Sequence, residues 1–194
     1  MDFPQGITWP TWQQDYRYGA LVIEPPRQLS SVLDPIRLRL DPESAAAFGA
    51  HITLTPPFAA APNSADEERV ASVIRGVASM RLQLDRPTQF SGSSVVYLPV
   101  VGIQAFHKLR SVLLATGLFR LDLPHTDDFV PHLTLSEFGT TPVAALEADV
   151  PPPEAMSFLV EAVAWIVPDE ALHFTVRRTF PLDFRGSRPD RADG

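Results

Sequence analysis

The segment Ala50-His51-Ile52-Thr53-Leu54 returns 81 residues later as Pro131-His132-Leu133-Thr134-Leu135, and this repetition restricts the fold more than any other feature of the chain. Each copy alternates polar and apolar residues with a period of two, the pattern of a half-buried strand. His51, Thr53 and Thr55 then share one face, as do His132, Thr134 and Ser136, while Ile52, Leu54, Leu133 and Leu135 anchor the opposite face in a core. Each copy follows a turn or a proline, and each precedes a loop bearing an aromatic, Phe58 or Phe138. A third triplet, His173-Phe174-Thr175, lacks that context. Its face carries Thr175, Arg177 and Thr179, which suits solvent or the edge of a groove.

The chain around the motifs reads as two strand-helix-strand blocks, one leading into each histidine strand. The first block opens with a strand over 18–24, stopped by Pro25-Pro26, and a helix over 28–40 with a break expected at Pro35. The second opens with a helix capped by Asn63 or Ser64 and running to about residue 80, followed by strands over 82–84 and 95–101 and a helix over 102–117. After the second motif come a short helix over 140–148 and two long strands, 158–167 and 171–182, joined as a hairpin at Pro168-Asp169-Glu170. Trp9 and Trp12 are expected in an irregular segment packed over the domain, with an exposed nucleobase platform as the alternative, and the apolar-poor tail 185–194 is expected to be disordered. The blocks are read as two α+β lobes facing each other across a groove, in a single domain over 1–184, although periodicity alone does not select this layout over other α+β ones.

Composition narrows the chemistry. No cysteine is present, so disulfides, thiolate zinc sites and cysteine nucleophiles are excluded. A formal charge of −7 with a single lysine, Lys108, argues against a long duplex nucleic acid as partner, since neutralising many phosphates needs clustered cations. A small nucleotide or the end of an RNA fits better. No run approaches the ~18 apolar residues of a membrane span, and the start lacks a secretory pattern. A cytoplasmic monomer with no membrane partner is expected.

Two imidazoles facing one groove supply a complementary base and acid, because an ordinary pKa near 6.5 leaves both forms accessible. A threonine hydroxyl beside each can hold a phosphoryl oxygen. A metal-dependent phosphohydrolase using His51, His132 and Asp127 or Asp128 is an alternative, although it leaves both threonines unexplained. A non-catalytic module binding a nucleotide or an RNA end is another.

On the segments His51-Ile52-Thr53-Leu54-Thr55-Pro56-Pro57-Phe58 and Pro131-His132-Leu133-Thr134-Leu135, and on the order of elements from 18 to 182, the chain resembles the two-histidine (2H) phosphoesterase superfamily. That group includes 2'-5' RNA ligase-like proteins and cyclic nucleotide phosphodiesterases. The resemblance implies a bilobal, pseudo-symmetric α+β fold, with two antiparallel sheets and flanking helices around a central groove. It implies His51 and His132 as catalysts, Thr53 and Thr134 as phosphate ligands, and no metal or other cofactor. Phe58, Tyr97, Phe138 and Trp165 are candidates to stack on a base, each equally credible as core or groove wall, and His173 and Arg177 are candidates to touch substrate at the groove's edge.

Overall fold

The computed structural model describes residues 14–124, 126–137 and 142–183; Trp9, Trp12, Phe138 and the tail 185–194 lie outside the described residues. The first block comprises β1 (Ala20–Ile23), α1 (Arg27–Leu40), α2 (Pro42–Ala47) and β2 (Ile52–Thr53). The second comprises α3 (Ser64–Arg75), β3 (Met80–Leu84), β4 (Thr88–Gln89), β5 (Val96–Val101), α4 (Gln104–Leu114) and β6 (His132–Ser136). A short α5 (Val143–Leu146) and the strands β7 (Ser157–Val160), β8 (Ala162–Pro168) and β9 (Phe174–Pro181) follow.

Two antiparallel sheets meet at β5, in the order β7-β3-β5-β6-β2-β1-β8-β9, with β4 added on β5. The first part of β5 pairs with β6, and its end, Val100 and Val101, pairs with β3. The α+β class, the antiparallel pairing and the flanking helices are those the sequence implied. β2 and β6, which carry the two motifs, lie side by side in the middle of the strand order.

The main core is continuous, gathering Leu29, Leu33 and Ile36 of α1, Val70 and Ile74 of α3, and Phe106, Leu109 and Leu113 of α4 against Leu21, Ile52, Leu54, Leu98, Leu133 and Leu135 of the strands. Burying one such side chain is worth about 1.5–3 kcal/mol, which makes the aliphatic face of each motif strand the anchor for its polar face. The other face of β1 and β8 carries a smaller cluster, Val22, Ala164 and Ile166, against which Phe48 and Phe174 pack. Gly19 lets β1 dock on β8: its φ is +73°, and a Cβ there would fall 1.8 Å from the Ile166 carbonyl oxygen.

Three elements depart from the sequence expectation. α1 runs unbroken through Pro35; Pro35 and Ser31, four residues before it, are both exposed, so the ladder bond that proline cannot make is lost on the solvent side of the helix. α3 ends at Arg75 with Gly76 as its C-cap, and Met80 already belongs to β3, where Met80, Leu82 and Leu84 are buried with period two. Asn63 caps that helix in a reciprocal box with Asp66. The expected strand 158–167 is two strands interrupted at Glu161: β7 pairs with β3, whereas β8 pairs with β1 and β9, so the chain changes sheet there.

Candidate active site

Ile52 pairs with Leu133 in the antiparallel register of β2 and β6. One step forward on one strand is one step back on the other, so Thr53 stands opposite His132 and His51 opposite Thr134. Directly opposite side chains in such a ladder have Cβ atoms about 4.5–5.5 Å apart, and diagonal neighbours lie about 7–8 Å apart. The two histidines occupy one diagonal of this quartet and the two threonines the other. The segments that lie 81 residues apart in sequence thus form one two-fold arrangement on one face of the sheet.

Both rings are held alike. The Nδ1 of His51 is 2.8 Å from the Gly49 carbonyl oxygen, and the Nδ1 of His132 is 2.7 Å from that of Val130, two residues back in each case. A carbonyl only accepts, so each Nδ1 carries the hydrogen and donates it. Each ring therefore keeps Nε2 for a ligand, as a base when neutral and as a donor when charged. Desolvation in the groove pushes the His51 pKa down to about 4; the Gly49 hydrogen bond opposes this, while the charges of Arg37 and His132 add to it. The His132 imidazole is also lowered by desolvation, against its bond to Val130. The sequence expectation of two unperturbed rings is thus replaced by two rings biased toward the neutral form.

The quartet sits where two recesses join. One, of about 660 Å³, is lined by Thr53, Phe90, Arg110, Asp128, Phe129 and His132; the other, of about 730 Å³, by His51, Thr134, Phe48, Glu137, Phe174 and His173. Tyr16, Thr53, Phe129 and His132 belong to both. Aromatic rings brace each histidine: Phe48 meets His51 edge-on at 5.1 Å, and Tyr97 and Phe90 meet His132 at 5.2 Å each. The carboxyl of Glu137 is raised above the usual carboxylate range by burial and by Asp41 beside it.

The residues expected at the site divide. His51, Thr53, His132 and Thr134 come together, and His173 lines the recess of His51, with its own ring 57% exposed. Phe58 and Trp165 are corrections: both are buried in the core, 2% and 0% exposed, packed on each other at 5.2 Å, and the Trp165 indole N–H donates to the Tyr18 carbonyl. Neither offers a free face to a base. Tyr97 is buried, stacks on Phe90 at 3.9 Å and backs His132, so it stands behind the groove rather than in its lining. The Arg177 guanidinium lies 4.7 Å over the Trp165 ring and is absent from the lining of both recesses. Among the described residues, no group of three or more His, Cys, Asp or Glu side chains is placed to hold a metal ion, and no helix is long and apolar enough to cross a membrane.

Sequence reasoning missed Phe48, Phe129, Arg37 and Arg110. A signal existed for the first two. The repeat is longer than His-x-Thr-Leu, since Phe48 precedes His51 and Phe129 precedes His132 by three residues each.

A family model described as the 2'-5' RNA ligase superfamily matches residues 25–181. No curated protein matches the chain. Among solved structures, E. coli LigT complexed with 3'-AMP is similar, with 22% identity, 84% of this chain and 96% of that chain covered, and a TM-score of 0.57. LigT complexed with ATP gives 23% identity, 84% and 96% coverage and a TM-score of 0.51. A protein of Thermus thermophilus gives 17% identity, 86% and 98% coverage and a TM-score of 0.56. At these identities the likeness is one of fold.

Proposed function

The chain belongs to the 2'-5' RNA ligase superfamily of 2H phosphoesterases, and from that premise we propose that it is a metal-independent phosphodiesterase acting on a cyclic phosphate or a 2'-5' linkage of a small nucleotide or an RNA end. The observation that carries the proposal is the cross-strand quartet. Its two histidines each have Nδ1 bound to a carbonyl and, among the described residues, no partner on Nε2, and each has a threonine opposite.

In the proposed reaction one neutral imidazole takes the proton of the attacking water or hydroxyl as its oxygen bonds to phosphorus. The other, charged, gives a proton to the oxygen that leaves as its P–O bond breaks. Thr53 and Thr134 donate to the non-bridging oxygens, where charge builds in the transition state. Ligation is the same sequence reversed. Because desolvation holds both rings toward neutrality before substrate binds, the anionic phosphodiester itself favours the charged ring: an opposite charge within ~4–6 Å raises a histidine pKa. Substrate binding thereby brings in the proton that the acid step consumes.

Small nucleotides are supported as ligands by the complexes of LigT with 3'-AMP and ATP. Incubation with nucleoside 2',3'-cyclic phosphates and with a 2'-5' linked dinucleotide, each with and without EDTA, tests the proposal. Product that forms equally in both conditions is expected. Binding without turnover would favour a non-catalytic module, and turnover lost to EDTA and restored by zinc or manganese would overturn the metal-free chemistry.

A further inference from the structure

Arg37 and Arg110 are the only basic side chains buried among the described residues, 3% and 5% exposed. Each lies on a long helix that precedes one motif in the chain, α1 before His51 and α4 before His132. Arg37 donates from Nη1 to the Phe48 carbonyl at 2.8 Å, three residues before His51, and from Nε to the Thr134 carbonyl at 3.0 Å in the other motif. Arg110 lies 4.1 Å over the ring of Phe129, three residues before His132, and donates from Nη1 to the Leu54 carbonyl at 2.6 Å, next to Thr53 in the other motif. Its Nη2 also donates to the Thr126 carbonyl, in the loop before His132. Each arginine thus joins the phenylalanine heading its own motif to the main chain of the opposite motif.

That reciprocity matters because the strands hold each other weakly. β2 has two residues, and its pairing with β6 rests on the single pair Ile52 and Leu133. A slip of one residue would turn each histidine to the core face, and a displacement of about 1 Å at a reacting group costs about 100-fold in rate. A buried guanidinium is expensive unless its donors are satisfied, and its planar fork reaches two acceptors where an ammonium acts as a point donor.

We propose that Arg37 and Arg110 are positioning residues forming a reciprocal clamp that sets the spacing of His51 and His132 across the groove. The proposal rests on the reading that both histidines act on one phosphate, and its test has one arm that needs turnover and one that does not.

In the first arm, Arg37→Lys, Arg110→Lys and the corresponding Met variants are assayed on adenosine 2',3'-cyclic phosphate. The Lys variants, which keep the charge, guard against simple unfolding. We expect kcat to fall about 10- to 100-fold with KM within roughly threefold, Lys to retain more activity than Met, and the double Lys variant to be little worse than the worse single one, because residues acting as a unit are not additive. A lower melting temperature with wild-type kcat for the folded fraction would overturn the clamp and leave two structural arginines. In the second arm, inorganic phosphate is titrated into protein with isotopically labelled histidine, and the ring signals of His51 and His132 are followed by NMR. In the wild type both should move with one Kd, and in the Lys variants one ring should move without the other or with a Kd at least threefold different. If the wild type fails to hydrolyse the cyclic phosphate, the functional reading falls while the phosphate titration still decides the clamp. Rings that stay coupled in the variants, or respond separately in the wild type, would overturn it.

Discussion

His51 should make folding stability pH-dependent in a window that its environment defines. Burial in the groove lowers its folded pKa to about 4, against an unfolded value near 6.5, so between these limits the unfolded chain binds a proton that the folded chain refuses. The contribution is therefore present above pH 6.5 and is lost as pH falls toward 4. An interval of about 2.5 pH units at about 1.4 kcal/mol each sets a ceiling of about 3.4 kcal/mol, of which about 2.5 kcal/mol is already lost at pH 4.5. His51 is only half-buried, and solvent there reduces the expected loss to about 1–2.5 kcal/mol, still a large share of a typical 5–15 kcal/mol. The assay is urea unfolding at pH 7.5 and pH 4.5 for the wild type and for His51→Gln, whose amide keeps a donor for the Gly49 carbonyl but does not titrate. Carboxylates titrate in both proteins and cancel in the comparison. The wild type should lose about 1–2.5 kcal/mol more than the variant on acidification. Parallel losses, agreeing within about 0.5 kcal/mol, would refute the claim that this imidazole is held neutral by its surroundings.

Further outcomes are expected from activity measurements. His51→Ala and His132→Ala should each lower turnover by about 100- to 10,000-fold, with the double variant little worse, while Thr53→Ala and Thr134→Ala should cost about 10- to 1,000-fold, the range for one hydrogen bond to developing charge. His173→Ala should stay within a few-fold of wild type, and a loss as deep as that of His132→Ala would mean the wrong triplets have been paired. The profile of kcat/KM against pH should be a bell with its maximum below the ordinary histidine pKa, because burial lowers both rings; the kcat bell should lie at higher pH, since the bound anion restores the charged form. A kcat/KM maximum above pH 7 would contradict this. Trp165→Ala should destabilise the fold by about 3–5 kcal/mol while the folded protein keeps its KM, because the ring fills the core; a large rise in KM with unchanged stability would return Trp165 to the groove.

How much of this was legible in the sequence depended on whether a residue's role follows from local pattern. The motif strands were legible because period-two alternation decides which face is buried, and that placed His51 with Thr53 and His132 with Thr134 before any tertiary information. The break at Glu161 was not, since Phe158 to Val167 is apolar enough for one strand, and only the partners reveal that Val160 pairs with Met80 while Ala164 pairs with Val22. Phe58 and Trp165 were ambiguous for a related reason: an aromatic side chain suits a core and a base-stacking face equally well, and what decides is whether a neighbour covers it. Here Phe119 covers Phe58 at 4.6 Å and Arg177 lies over Trp165.

The arginines are the instructive case. By residue type alone Arg37 looks like Arg39, whose side chain is 57% exposed and pairs with Asp149 at the surface. Two positions along a helix are about 200° apart around its axis, so one guanidinium points to water and the other under the sheet. Arg37 does fall one residue after Ile36 and four after Leu33, on the apolar stripe rather than beside it, and Arg110 follows Leu109 and lies four after Phe106. A cation placed on the buried stripe of an amphipathic helix must find acceptors there, and the acceptors a β-strand can spare are the carbonyls of a short or interrupted pairing. Here those are the carbonyls of Thr134 and Leu54, at the one-pair junction of β2 and β6. The same brevity of pairing that leaves room for the two phenylalanine-headed motifs to face each other thus creates the acceptors that two buried arginines fill.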